Sequence, residues 1–290
     1  MTDTNNPRFI VSHDWLAEHL DDSNLRVYDC TVHLVPDPPR AYTVKSGRED
    51  FEAGHIPGAG FLDLTGPSLS DPSSGLNFTM PSKAQLEEAL SAAGLGDEHT
   101  AVLYSSGHMM WATRMWWMLR SVGFETASVL DGGFRTWQES GARVSTDACN
   151  YAPARFTANP RPERWADKDE VLDAIDSATV CTINALAPEV HSGEGEMNYG
   201  RKGHIKGSVN VPFANLLQRG TFQPADVLKT EFEKVRAFDR ERVIVYCGGG
   251  ISATTDALAL VMAGHPNVAV YDGSMSEWVR DSELPMEVGE

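Results

Sequence analysis

The 290-residue sequence has no long apolar run and no secretory pattern at its start. No stretch approaches the roughly 20 consecutive apolar residues that a membrane-spanning helix needs. The first residues, MTDTNNPRFIVSHDWLAEHL, lack the basic start and continuous apolar core of a signal peptide. We therefore predict a cytoplasmic protein that does not bind membranes.

Basic side chains are also scarce. Lysine and arginine total 24 against 41 acidic residues, which gives a net charge of −17. Nucleic acids and anionic membranes are bound through clustered Lys and Arg, so this balance argues against both as partners. A small anion could still bind, but only in a local pocket of backbone N–H groups or cations.

Cysteine is rare as well: Cys30, Cys149, Cys181 and Cys247 are widely spaced and form no CxxC pair. A disulfide framework or a zinc site needs closer or more numerous cysteines, so we predict no metal site. Each cysteine is therefore assessed alone, either as a small buried hydrophobe or as a reactive thiol.

Three segments of the chain occur twice, in the same order, which predicts a duplicated domain. The matched pairs are GHIPGA (54–59) and GHIKGS (203–208), AVLYS (101–105) and VIVYC (243–247), and VLDGGFRTW (129–137) and VYDGSMSEW (270–278). We assign residues 1–148 to an N-terminal domain and 166–290 to a C-terminal domain. The proline-rich stretch 149–165 is the predicted linker.

Each copy alternates apolar strand patterns with helical patterns, which indicates an α/β fold. The first copy has strand candidates at 25–30 and 101–105, a capping box that opens a helix at Ser82, and a helix at 112–120. The second copy has a helix at 253–262 between two apolar strands. We expect a mostly parallel sheet in each domain, covered by helices on both faces.

Cys247 opens a glycine-rich turn between a predicted strand and a predicted helix. The turn continues through Gly248, Gly249, Gly250, Ile251 and Ser252. In α/β proteins ligands bind at this edge of the sheet, and a backbone that curls with its N–H groups inward stabilises an anion. A thiolate or a persulfide at Cys247 would be stabilised in this way, which predicts a nucleophilic cysteine.

The equivalent turn of the first copy has Ser105 in place of the cysteine. The first domain is therefore predicted to be non-catalytic and to help build a cleft. Residues 108–111 of this turn could line that cleft or pack as an apolar cluster. Asp131 and Asp272, which precede glycine in both copies, suit turns.

These landmarks resemble those of the tandem-domain rhodanese family, which includes thiosulfate and 3-mercaptopyruvate sulfurtransferases. The resemblance rests on GHIPGA, the WWMLR helix, the VLDGG turn and the CGGGISA loop, and it spans nearly the whole chain. It implies two rhodanese-like domains and sulfur transfer through a persulfide on Cys247, with no metal or organic cofactor. The implied partners are a small anionic sulfur donor and a thiol, cyanide or protein acceptor.

The sequence departs from the family pattern where the donor binds. The loop is similar to the neutral loop of mercaptopyruvate enzymes, but Gly249 lacks their serine hydroxyl. Two arginines that the family places after a strand and before a glycine are absent from 183–186 and 190–193. Arg201, Lys202 and Lys206 are candidate substitutes. His55 resembles a histidine proposed to assist proton movement, although its repeat twin His204 favours a structural role.

The amino-acid sequence alone leaves three other interpretations of the function open. The pattern Gly248-x-Gly250-x-x-Ala253, with Asp272 further on, fits a dinucleotide-binding fingerprint on paper. Cysteine phosphatases use a related loop but need arginine where this chain has Ala253. The protein could also carry a persulfide to a partner protein with little turnover of a small donor.

Overall fold

A computed structural model describes residues 9–37, 40–149 and 151–289. Two five-stranded parallel sheets form its framework, one in each half of the chain. The first half contains β1 (Ile10–Val11), α1 (His13–His19), β2 (Leu25–Asp29), β3 (Val32–Asp37), β4 (Arg40–Ser46), α2 (Arg48–Ala53), β5 (Gly60–Phe61), α3 (Lys83–Ala92), β6 (Thr100–Tyr104), α4 (Met110–Ser121), β7 (Ala127–Leu130) and α5 (Gly133–Glu139).

The second half repeats this plan. It contains β8 (Trp165–Ala166), α6 (Lys168–Ala174), β9 (Val180–Asn184), α7 (Pro188–His191), β10 (His204–Ile205), β11 (Val209–Asn210), β12 (Leu217–Gln218), β13 (Thr221–Phe222), α8 (Ala225–Lys234), β14 (Arg242–Tyr246), α9 (Ala253–Met262), β15 (Val268–Tyr271), α10 (Ser274–Trp278) and β16 (Met286–Glu287). Short 3₁₀ turns lie at 72–74, 162–164, 213–216 and 237–239.

The strand orders are β1-β7-β6-β2-β5 in the first sheet and β11-β9-β14-β15-β8 in the second. All pairings within these two sheets are parallel. β6 and β14 lie inside their sheets, and their last four residues are all buried. This accounts for the continuous apolar runs in the sequence, because a parallel strand with helices on both faces has no solvent side.

Helices cover both faces of each sheet, as predicted. Leu16 of α1 and Trp137 of α5 pack in a cluster on the outer face of the first sheet, and Val171 of α6 and Trp278 of α10 do so on the second. The inner faces, under α3, α4, α8 and α9, share one apolar cluster that is continuous across both halves. The two domains are therefore joined by a common core.

Reciprocal hydrogen bonds connect the domains beside this core. The Asp131 carboxylate accepts a hydrogen bond from the Phe222 backbone N–H at 2.8 Å, and the Asp272 carboxylate accepts one from the Met80 N–H at 2.7 Å. The two aspartates were expected only to shape turns. Each turn also fixes the position of the other domain.

Local structure agrees with the predicted helix signals. The α3 helix opens with a complete capping box between Ser82 and Gln85, and α9 spans the residues predicted for it. The β3–β4 hairpin was not predicted. No helix among the described residues is long and apolar enough to cross a membrane.

Candidate functional site

Cys247 lies on a cavity of about 360 Å³ between the two domains. The thiol follows β14, whose parallel neighbours are β9 and β15. The first domain contributes to the walls through the β3–β4 hairpin, the segment 75–78 and the start of α4, and the second through 197–199 and the loop 247–252. The residue is only 2% exposed, so this cavity is where a reactant would meet the sulfur.

The backbone of the 247–252 loop is held by the turn after β15. The Ser274 hydroxyl accepts a hydrogen bond from the Cys247 N–H at 3.1 Å. The Cys247 and Gly248 carbonyls accept from the N–H groups of Met275 and Ser276, at 3.0 and 2.8 Å. Two carbonyls of the loop are therefore turned towards the segment after β15.

Two of the three loop glycines are required by close packing. A Cβ atom on Gly248 would overlap the phenol of Tyr199, and Gly250 has a φ of +73° with the Asp272 carbonyl 2.6 Å from the place of a Cβ. Gly249 is different, because its nearest neighbour would be the Ser276 hydroxyl at 3.8 Å. Gly248 and Gly250 therefore shape the loop, while Gly249 leaves room beside the thiol.

The N–H groups of residues 248–252 donate to no acceptor in the part of the chain that the structure describes. Five donors at the start of α9 that have no partner among the described residues can form a cradle for an anion. A persulfide sulfur at Cys247 is an anion of suitable size and position for it. The loop thus offers backbone donors beside the thiol, and its role in holding a persulfide stays a prediction.

Two tyrosines that sequence analysis did not single out stand near the thiol. Tyr42 from the β3–β4 hairpin and Tyr199 from the second domain both line the cavity. Burial, followed by the charge of Cys247, raises the pKa of both phenols. They are therefore neutral hydrogen-bond donors at neutral pH.

Asp256 is a further group that the sequence did not draw attention to. It is completely buried in α9, and neither carboxyl oxygen has a hydrogen-bond partner among the described residues. Burial, with the charge of Cys247 as a second cause, raises its pKa well above the ordinary value. Burial therefore favours the neutral form of this acid beneath the loop.

The corresponding loop of the first domain is built differently. The Ser106 N–H donates to the Thr31 hydroxyl at 2.8 Å, and the Gly107 N–H donates to the Ser105 hydroxyl at 3.2 Å. Its cavity of about 170 Å³ is lined by Ser105, His108 and Met109, whereas Met110 and Trp111 line the cavity of Cys247. The first loop therefore lacks both the thiol and part of the free N–H cradle.

The remaining predicted site residues lie outside the Cys247 cavity. His55 is buried in the first domain, with ring nitrogens 2.7 and 2.9 Å from the Phe51 and Asp147 carbonyl oxygens. Arg201 donates to the carbonyls of Asp281 and Leu284, at 3.0 and 2.9 Å. Neither residue lines the cavity, so the geometry gives no support for their contact with a donor.

The other three cysteines are in different surroundings. Cys30, Cys149 and Cys181 are unpaired, and burial raises the pKa of each thiol, that of Cys181 to about 11. A high pKa keeps them protonated and unreactive at neutral pH. Cys30 and Cys181 fit the interpretation of small buried hydrophobes, whereas Cys149 is only partly buried.

Comparison with known proteins identifies the class to which this fold and site belong. The rhodanese-like domain model matches residues 12–140 and again 168–281. The chain therefore belongs to the rhodanese family, as a tandem of two such domains.

Relatives that match over the full length define the chain further. It is 33% identical to 3-mercaptopyruvate sulfurtransferase of Escherichia coli K12, over 96% of this chain and 98% of the relative. It is 31% identical to thiosulfate sulfurtransferase of Rattus norvegicus, over 94% and 92%. The expectation of a sulfurtransferase enzyme is confirmed by this similarity, which leaves the dinucleotide-binding and phosphatase interpretations without support.

Solved structures show the same architecture. The crystal structure of the 3-mercaptopyruvate sulfotransferase SseA from Escherichia coli superimposes with a TM-score of 0.79 at 32% identity, over 92% of this chain and 98% of that one. An anaerobic ergothioneine biosynthesis enzyme from Chlorobium limicola gives a TM-score of 0.82 at 22% identity, over 98% and 71%. The second likeness shows the fold alone.

Proposed function

We propose that Cys247 transfers sulfur from a small anionic donor to a thiophilic acceptor through a persulfide. The observation that carries this proposal is the thiol at the cavity, next to five backbone N–H groups that have no acceptor among the described residues. The donors named for the relatives, thiosulfate and 3-mercaptopyruvate, are the two candidates. The catalytic role of Cys247 itself is part of the proposal.

In the first half-reaction the Cys247 thiolate attacks the transferable sulfur of the donor. One S–S bond forms to the cysteine, and the bond between that sulfur and the rest of the donor breaks with its electron pair. When thiosulfate is the donor, sulfite is the leaving group. With 3-mercaptopyruvate a C–S bond breaks, and the carbon that leaves takes up the thiol proton, so that pyruvate is released.

The persulfide that results carries its negative charge on the outer sulfur. The N–H groups of residues 248–252 stabilise this charge, and the neutral phenols of Tyr42 and Tyr199 supply hydrogen bonds without adding repulsion. In the second half-reaction an acceptor thiolate, cyanide or a protein thiolate attacks the outer sulfur. The S–S bond breaks, and the Cys247 thiolate is restored.

This chemistry uses the persulfide as its intermediate and requires no metal or organic cofactor. We propose the cytoplasm as its location, because a reducing compartment keeps the four unpaired cysteines as thiols. Neither nucleic acid nor a membrane is part of the proposal, given the net charge of −17.

Mass spectrometry of the intact protein tests the proposal. Incubation with thiosulfate or 3-mercaptopyruvate is expected to add one sulfur, about 32 Da, to the wild type and nothing to Cys247→Ser. Cys181→Ser, at a buried thiol outside the cavity, serves as the matched control and should still gain the sulfur. The proposal would be contradicted if the wild type gained no sulfur from either donor, or if Cys247→Ser still gained it.

A further inference from the structure

The walls of the Cys247 cavity differ in charge from the rest of the molecule. The chain has 41 acidic residues, yet no Asp or Glu is among the described residues that line this cavity. Among the same lining residues, Arg280 is the single cation. A positively charged site on a protein of net charge −17 concentrates anions locally, against the overall field.

The Arg280 side chain is oriented but not neutralised. Its Nη2 donates to the Gly75 carbonyl of the first domain at 2.7 Å, which holds the guanidinium across the cleft. No carboxylate of the described residues lies within ion-pair distance of it. The other N–H groups of the guanidinium have no acceptor among the described residues, which leaves them available to a planar anion that arginine binds through two parallel hydrogen bonds.

The remaining walls are mostly apolar. Leu34, Phe78, Trp111, Met197 and Ile251 present hydrocarbon, ring or thioether surface to the same space. Such a lining favours a ligand with carbon atoms to bury, while one guanidinium is well matched to one carboxylate. An inorganic dianion such as thiosulfate has no carbon atoms to bury against these walls, and one guanidinium balances only one of its two charges.

We propose that Arg280 binds the carboxylate of the sulfur donor, so that the cavity selects an organic thiol with a single carboxylate over thiosulfate. This inference rests on the proposed function, because it assumes that the donor delivers sulfur to Cys247. It also accounts for the absence of family arginines from 183–186 and 190–193. The cation reaches the cavity from the segment after α10 instead.

The test measures persulfide formation with three donors: 3-mercaptopyruvate, thiosulfate and mercaptoacetone, which lacks the carboxylate. The wild type should prefer 3-mercaptopyruvate to thiosulfate by at least about 10-fold in kcat/KM. Arg280→Met should raise KM for 3-mercaptopyruvate by roughly 10- to 100-fold and change mercaptoacetone turnover by less than about 2-fold. Arg280→Lys, which keeps the charge but not the fork, should recover part of the loss.

Arg143→Met is the matched control, because Arg143 is exposed and lies outside the cavity. This variant should form the persulfide from all three donors with the kinetic constants of the wild type. Equal losses with 3-mercaptopyruvate and mercaptoacetone in Arg280→Met would overturn the inference, since they would indicate a general disturbance of the cleft. A wild-type preference for thiosulfate would also overturn it.

The two levels of proposal fail in different ways. If the wild type gains no sulfur from any of the three donors, the proposed function fails. If it gains sulfur and Arg280→Met behaves as the wild type does, the function stands and only the role of Arg280 is refuted.

Discussion

Arg114 connects the two domains from inside the protein, and its removal gives a strong test of the architecture. The side chain is fully buried in α4, and one terminal nitrogen lies 2.7 Å from an Asp272 oxygen of the second domain. The same nitrogen donates to the Gly250 carbonyl in the Cys247 loop at 3.1 Å. The guanidinium also stacks on the Trp165 ring, with 4.8 Å to the ring centroid.

Arg114→Met keeps the length and most of the volume of the side chain but removes its charge. The change leaves the Asp272 carboxylate, whose side chain is 20% exposed, without its cation. Breaking a buried pair from one side costs about 3–5 kcal/mol. For 290 residues, with an unfolding entropy of about 2.1 cal/mol/K per residue, that corresponds to a fall in melting temperature of roughly 5–8 °C.

Urea denaturation, followed by tryptophan fluorescence and by far-UV circular dichroism, measures the loss. Because one apolar cluster spans both domains, the wild type should unfold in a single transition by both probes. Arg236→Met is the matched control: its partner is Asp239, both side chains are more than half exposed, and the expected change is below about 1 kcal/mol. The double variant Arg114→Met/Asp272→Asn should lose less than the sum of the single losses.

Two results would refute this reasoning. One is a loss for Arg114→Met that is no larger than that of Arg236→Met. The other is strict additivity with Asp272→Asn, which would mean that the two groups do not interact across the interface.

Two further predictions follow from the loop and the interface. Gly248→Ala should lower the rate of persulfide formation by roughly 10- to 100-fold, because the new Cβ must displace the Tyr199 phenol. The rate for Gly249→Ala should stay within about 3-fold of the wild type. Similar rates for both variants would show that the contact with Tyr199 is unimportant. Burial raises the pKa of Asp131 from 3.8 to about 6, so its ionisation should remove about 1–3 kcal/mol of stability as the pH rises from 4 to above 6. Asp131→Asn keeps the acceptor for the Phe222 N–H and should gain this amount at pH 8 but not at pH 4 in urea titrations; equal gains at both pH values would contradict the cause.

The sequence predicts those parts of the fold whose signals are local. The capping box at Ser82, the apolar strands and the α9 helix depend on neighbouring residues, and the structure has them as predicted. Cys247 could be singled out because its turn follows a buried strand and contains three glycines. The duplication added Ser105 as a comparison within the same chain.

The other side of the cavity could not be predicted in this way. Tyr42, Tyr199 and Arg280 come from three segments far apart in the chain, and only the packing of both domains brings them to one cavity. The β3–β4 hairpin that carries Tyr42 includes Pro36 and several polar residues, so its alternation of apolar and polar residues is weak. Arg201, nearer in sequence to the absent arginines, is instead bonded to carbonyls outside the cavity.

The reciprocal bonds of Asp131 and Asp272 give the domain interface the form of a twofold dimer. The two acceptors are equivalent in the repeat, and the paired hydroxyls of Thr113 and Thr254, at 2.8 Å, come from equivalent places in α4 and α9. In a closed homodimer residue i of one subunit contacts residue j of the other, and j contacts i. A gene duplication that fused two copies of such a self-associating domain would produce this interface, because the contacts of the homodimer would be kept within one chain. Loss of the cysteine from one copy would then leave one working site per ancestral pair.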